Sequence, residues 1–129
     1  VDAPQASDST YFDIRIDGTG SMIRYAMKGF WDAAIYARFH QAILREMSKF
    51  HSRGEPFDLL GDLTDFPPQL QTLNDARERL VEEAKAMGLR KCGVVTPNPI
   101  VKMQISRLSN QFYKFFGSEA EALAWIAED

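Results

Sequence analysis

The hydrophobic period of this chain changes from two to four on either side of Gly29, and no other feature of the sequence limits the fold as much. Phe12, Ile14 and Ile16 alternate with Asp13, Arg15 and Asp17, the pattern of a strand with one buried face. Turn-forming residues follow in Asp17-Gly18-Thr19-Gly20-Ser21, after which Ile23, Tyr25 and Met27 alternate again. Beyond Gly29, Trp31, Ile35, Phe39, Ile43 and Met47 recur at every fourth position, with Ala42 and Phe50 on the same face. An opening β-hairpin therefore feeds a long amphipathic helix, about Asp32 to His51.

The remainder keeps switching between the two periods. Phe57 to Leu63, bounded by Pro56 and Pro67, reads as a strand buried on both faces and hence central. The prolines of Phe66-Pro67-Pro68 hold the next connection extended. Thr72 with Asp75 predicts the start of a second helix, whose Ala76, Leu80, Ala84 and Met87 share a face until Gly88 ends it. Leu89 to Thr96 reads as a strand closed by Pro97-Asn98-Pro99, and a third helix from about Ile100 buries Val101, Ile105 and Leu108, with Phe112 a further candidate. Tyr113 to Phe116 is a short strand. Ser118 to Glu121 fits a capping box for a last helix carrying Leu123, Ala124, Trp125 and Ile126. The order β-β-α-β-α-β-α-β-α predicts an α/β fold in which helices pack on a mixed sheet opened by the hairpin. Val1 to Thr10 is too poor in apolar residues to offset its ordering entropy and reads as a loose tail, with a single domain over 11–129.

Composition excludes several classes of function. At 129 residues with 45% hydrophobic content, one domain can bury an adequate core without disulfide or metal. Cys92 has no partner for an intrachain bridge, which favours a reducing compartment, and the cytoplasm is the expected location. A formal net charge of −3 argues against nucleic-acid binding, which needs a basic surface. No apolar run approaches the ~20 residues of a membrane span. Because the chain opens on Val1, removal of a preceding segment stays open.

The loop after the central strand, Asp62-Leu63-Thr64-Asp65-Phe66, stands where open α/β sheets place ligands and switches. Two carboxylates, Asp62 and Asp65, flank a hydroxyl there, which reads as a modification or metal site. The plainer alternative is that these short side chains hydrogen-bond loop backbone. Asp62, Thr96 and Lys114 imitate a phosphorylation receiver, but the acidic residues such a site needs after its first strand are replaced by a hairpin. His40 and His51 lie eleven residues apart, off any common helical face, and read as surface imidazoles rather than metal ligands. Cys92 beside Lys91 reads as a structural thiol before a reactive one. With no GxGxxG, phosphate loop or HExxH, no catalytic residue, cofactor or metal is expected. Nine Phe, four Tyr, two Trp and five Met are generous for one small domain. The stripe through Trp31, Ile35 and Phe39 therefore has two readings, ordinary core or the lining of an apolar ligand site between the long helix and the sheet.

The β-β-α opening, the strand and polar loop from Leu59 to Asp65, the strand Cys92-Gly93-Val94-Val95, and the ending Phe115-Phe116-Gly117-Ser118-Glu119-Ala120-Glu121-Ala122-Leu123-Ala124-Trp125-Ile126 resemble the SpoIIAA-like proteins. These belong to the broader STAS and Sec14-like (CRAL-TRIO-type) α/β domains. On the side of the anti-sigma-factor antagonists, the resemblance implies partner switching through a phosphorylated hydroxyl in the loop after the third strand. Thr64 offers a hydroxyl there, without the neighbouring hydroxyl and glycine of the family pattern. The Sec14-like side implies an apolar pocket under a movable helix. The resulting expectation is a non-enzymatic interaction or regulatory module, self-associating as a homodimer or binding a protein partner through Asp62, Thr64, Asp65 and Phe66. The alternative is a carrier or sensor of a small apolar, lipid-like ligand near Trp31, Ile35 and Phe39.

Overall fold

A computed structural model describes residues 7–8, 10–16, 21–69, 71–106 and 113–128. Among them are six strands, β1 (Ser7–Asp8), β2 (Phe12–Ile16), β3 (Met22–Met27), β4 (Phe57–Asp62), β5 (Leu89–Val95) and β6 (Tyr113–Phe116), and four helices, α1 (Ala33–Ser52), α2 (Asn74–Met87), α3 (Pro99–Ser106) and α4 (Glu119–Ala127). The strands form one mixed sheet in sequence order. The β1–β2 and β2–β3 pairs are antiparallel, and β3 through β6 run parallel. The predicted fold class is thus the observed one. The difference is at the amino end, where Ser7–Asp8 pairs with β2 inside the stretch expected to be loose. The rest of that stretch up to Ser9, and the predicted core positions Leu108 and Phe112, lie outside the described residues.

Sheet order and crossover handedness together decide which face each helix covers. When parallel strands are added in one direction through right-handed crossovers, the connecting helices fall on the same side. Accordingly Trp31 just before α1, Phe39, Ile43 and Met47 of α1, Ala84 of α2 and Val101 of α3 share one core with Phe12, Ile14, Ile23, Leu59, Cys92 and Val94 of the strands. The opposite face receives α4, whose Ala122 and Ile126 form a smaller core with Met22, Leu60 and Val95. That helix packs on β4, β5 and β6, so the sheet face over β2 and β3 carries polar side chains instead.

Local chemistry sets the element ends. Asp32 caps α1 by accepting the Ile35 N–H at 2.8 Å, and Ser118 accepts the Glu121 N–H at 3.3 Å to start α4 as the sequence predicts. The far end of α4 is held by β5, where Arg90 donates to the Ile126 carbonyl at 2.7 Å and Lys91 to that of Trp125 at 2.8 Å. Gly88 ends α2 at φ 110°, a left-handed position that favours glycine. The start of α2 differs from expectation. Thr72 falls in a 3-10 turn over Gln71–Leu73, and the residue before the helix, Leu73, provides no side-chain cap. On β4, a Cβ at Gly61 would overlap the Tyr25 ring, which explains a glycine among the buried residues of this strand.

Candidate functional site

The loop leaving β4 alternates between anchors and display. Leu63 and Phe66 are buried while Asp62, Thr64 and Asp65 are exposed. Asp62 Oδ1 accepts both the Thr64 backbone N–H at 3.0 Å and the Thr64 hydroxyl at 2.6 Å, so the carboxylate fixes turn and side chain together. Leu63 N–H donates to the Val95 carbonyl at 2.8 Å, and Gly29 N–H to that of Asp65 at 3.2 Å. Phe66 packs edge-on against Trp31 with ring centroids 5.4 Å apart. Of the predicted loop residues, three are therefore presented to solvent together, and Phe66 is instead the post that holds them.

A buried clasp that sequence reasoning missed reinforces the loop. Gln69 accepts the Trp31 backbone N–H at 2.8 Å and donates to the carbonyls of Gly29 at 3.0 Å and Pro67 at 2.7 Å. Its own backbone exchanges hydrogen bonds with the Gln104 side chain of α3, at 3.0 and 2.9 Å. The Pro67-Pro68 pair thus spans a fixed distance between two anchored points. A lone glutamine after two prolines carries no pattern that reveals this.

Two depressions meet at Thr64. The first is a shallow groove among the loops at the carboxyl ends of the strands, bordered by Thr64, Asp65, Pro67, Pro97 and Ile100. Phe30 and Ile100 are 55% and 50% exposed, large apolar side chains set beside these loops at the same end of the sheet. The second is a concavity of about 400 Å³ on the polar sheet face, where Asp13, Arg15, Arg24, Asp62, Ser118 and Glu119 come together with Thr64. Arg24 pairs with Glu119 at 2.7 Å and Arg15 with Asp13 at 3.2 Å.

The aromatic stripe is core. Trp31, Ile35 and Phe39 are all buried, and Trp31 contacts the rings of Phe12, Tyr36, Phe39 and Phe66 at centroid distances of 5.2 to 6.0 Å. Between α1, α2 and the sheet remains a cavity of about 70 Å³, lined by Phe39 but not by Trp31 or Ile35. Pockets that hold small organic ligands usually measure ~300–1,000 Å³.

The other candidates are dispersed. Thr96 is buried and accepts the Asn98 N–H at 3.2 Å, and Lys114 lies over the rings of Phe116 and Trp125. Neither borders the concavity that contains Asp62. His40 meets Glu83 at 2.6 Å between α1 and α2, while His51 is exposed at the end of α1. Cys92 is wholly buried, and that burial pushes its thiol up to about 12, against a smaller opposing effect from the Tyr25 hydroxyl 3.8 Å away. Burial likewise raises the Tyr36 phenol above its ordinary value. Among the described residues, no helix is long and apolar enough to cross a membrane.

No protein-family model matches the chain, and no curated protein matches its sequence. A solved anti-sigma factor antagonist from Mycobacterium paratuberculosis is similar in structure, with a TM-score of 0.57 at 14% identity, over 95% of this chain and 99% of that one. The chain has the fold of that protein, which is the STAS and SpoIIAA-like fold that the resemblance implied. The Sec14-like half of the resemblance gains no support from the comparison.

Proposed function

We propose that this chain is a non-catalytic regulatory module that binds a protein partner of the anti-sigma-factor class through the loops at the carboxyl ends of its parallel strands. The observation that carries the proposal is the joint display of Thr64 and Ile100 on one groove, with Phe30 exposed at the same end of the sheet. A hydroxyl held by a carboxylate is placed where an apolar patch offers contact area. The fold shared with an anti-sigma factor antagonist over nearly the whole of both chains supports the choice of partner class.

Thr64 is the control point in this proposal. Adding a phosphate there adds about −1.5 to −2 charge to the end of the sheet that already carries the exposed carboxylates of Asp62 and Asp65, and that field repels an acidic partner surface. The Phe66 anchor and the Gln69 clasp hold the display in place, so binding costs little ordering entropy in the loop. Thr64→Ala and Thr64→Glu test the proposal in binding titrations with the partner. Ala preserves capture and blocks its loss on phosphorylation, whereas Glu weakens capture about tenfold, a difference of ~1.4 kcal/mol. Identical capture by both variants overturns the role of Thr64.

A further inference from the structure

We infer that Arg24 is the internal receptor for a phosphate on Thr64, and that loading it releases Glu119, in the first turn of α4, from its ion pair with Arg24. This rests on Thr64 being the modified hydroxyl of the proposed function. The transfer itself comes from a nucleoside triphosphate on a protein kinase. The Thr64 Oγ–H bond gives its proton to the kinase base, an Oγ–P bond forms, and the nucleoside diphosphate leaves.

The present position of Thr64 does not survive that step. Its hydroxyl donates to Asp62 Oδ1 at 2.6 Å, and the esterified oxygen has no proton to donate. Instead a dianionic group faces the Asp62 carboxylate and is driven from it. The cations bordering the concavity that Thr64 shares are Arg15 and Arg24. Arg15 belongs to β2, one strand further from Thr64 than β3, and its side chain is 65% exposed beside Asp13. Arg24 belongs to β3, the immediate neighbour of β4. The register sets Ala26 opposite Asp62, and Arg24 is two residues earlier on the same face, ~7 Å along the strand. An extended arginine side chain reaches the level of Asp62, whose Oδ1 lies 2.6 Å from the Thr64 hydroxyl.

Competition for the guanidinium favours the phosphate. Glu119, 54% exposed, pairs with Arg24 at 2.7 Å, whereas a phosphate offers three acceptor oxygens to the same planar fork. Once released, Glu119 remains at the amino end of α4, where the helix dipole and water both accommodate its charge. The far end of α4 stays clamped through Arg90 and Lys91. Phosphorylation therefore changes the polar sheet face as well as the groove, by removing one side-chain tether between β3 and the first turn of α4.

The test uses the full chain with phosphothreonine inserted at position 64 during translation, followed by phosphorus NMR across pH. A neighbouring arginine favours the dianion, so the second phosphate ionisation falls. The expected midpoint in Arg24→Gln is higher than in the parent by about half a pH unit or more. Arg24→Lys recovers part of the difference, Arg15→Gln moves it little, and the Arg24 Nε–H resonance shifts on phosphorylation. Circular dichroism of each variant establishes that it is folded. Equal midpoints in the parent and in Arg24→Gln, or a larger effect from Arg15→Gln, overturn the inference. Partner capture is absent from this readout: a phosphate docked on Arg24 with capture unchanged contradicts the proposed function alone, and an undocked phosphate that still abolishes capture contradicts Arg24 alone.

Discussion

The Gln69 side chain accepts the backbone N–H of Trp31 at 2.8 Å, and this bond joins the loop after the central strand to the segment entering α1. The same amide donates to Gly29 and Pro67. Replacing Gln69 by Leu leaves buried backbone groups without partners, and the expected loss is about 3 kcal/mol in urea unfolding. Hydrogen exchange at the Trp31 amide should accelerate with it. An unchanged midpoint and exchange rate would show that the clasp does not hold the loop.

Trp31 is fully buried among four aromatic rings. Trp31→Ala should cost about 3–5 kcal/mol, read as a shift of the denaturant midpoint. A loss of less than about 1 kcal/mol would mean that the segment entering α1 is not packed against these rings.

Tyr25 and Gly61 are matched in shape across β3 and β4, since a Cβ at position 61 would overlap the ring. Gly61→Ala is expected to destabilise by about 1–3 kcal/mol. In the Tyr25→Ala background the same change should cost far less, giving a double-mutant coupling of opposite sign to the single effect. Additive losses would separate the two residues.

The Cys92 thiol is pushed from 9.0 to about 12 by burial. Between those values the unfolded chain ionises and the native one keeps its proton, so stability falls as pH rises from about 9 towards 12. In Cys92→Ala that portion of the decline disappears. At neutral pH, iodoacetamide should modify Cys92 slowly, in proportion to the small population of opened molecules; rapid labelling of the native protein would contradict the burial.

Periodicity made most of the architecture legible, because each element has one apolar face that must meet another. The five strands from Phe12 onward, the four helices and the Gly88 and Ser118 caps all follow from residue spacing. Ser7–Asp8 did not, since two polar residues that pair through backbone carry no hydrophobic signal. The start of α2 was misread at Thr72, where a 3-10 turn brings the chain into the helix without a side-chain cap. At the site, Thr64 and its flanking carboxylates were visible as a polar break after a buried strand. Phe66 was grouped with them by adjacency, although an aromatic residue before two prolines is better placed as an anchor. The Gln69 clasp and the Arg24–Glu119 pair escaped because the bonds that tie them to other elements join residues between 35 and 95 positions apart, and exposure at Ile100 carries no periodic signal. Phe30 and Ile100 left one usable trace, large apolar residues next to Gly and Pro outside any periodic run.

The proposed contact surface is tested most directly by a photoreactive amino acid placed in the living cell, at Ile100 in the groove and at Arg45 on the exposed side of α1. Crosslinking to a protein partner should arise from position 100, fall sharply when Thr64→Glu is added, and be absent from position 45. Equal crosslinking from both positions, or crosslinking from position 100 that ignores Thr64→Glu, would contradict the account.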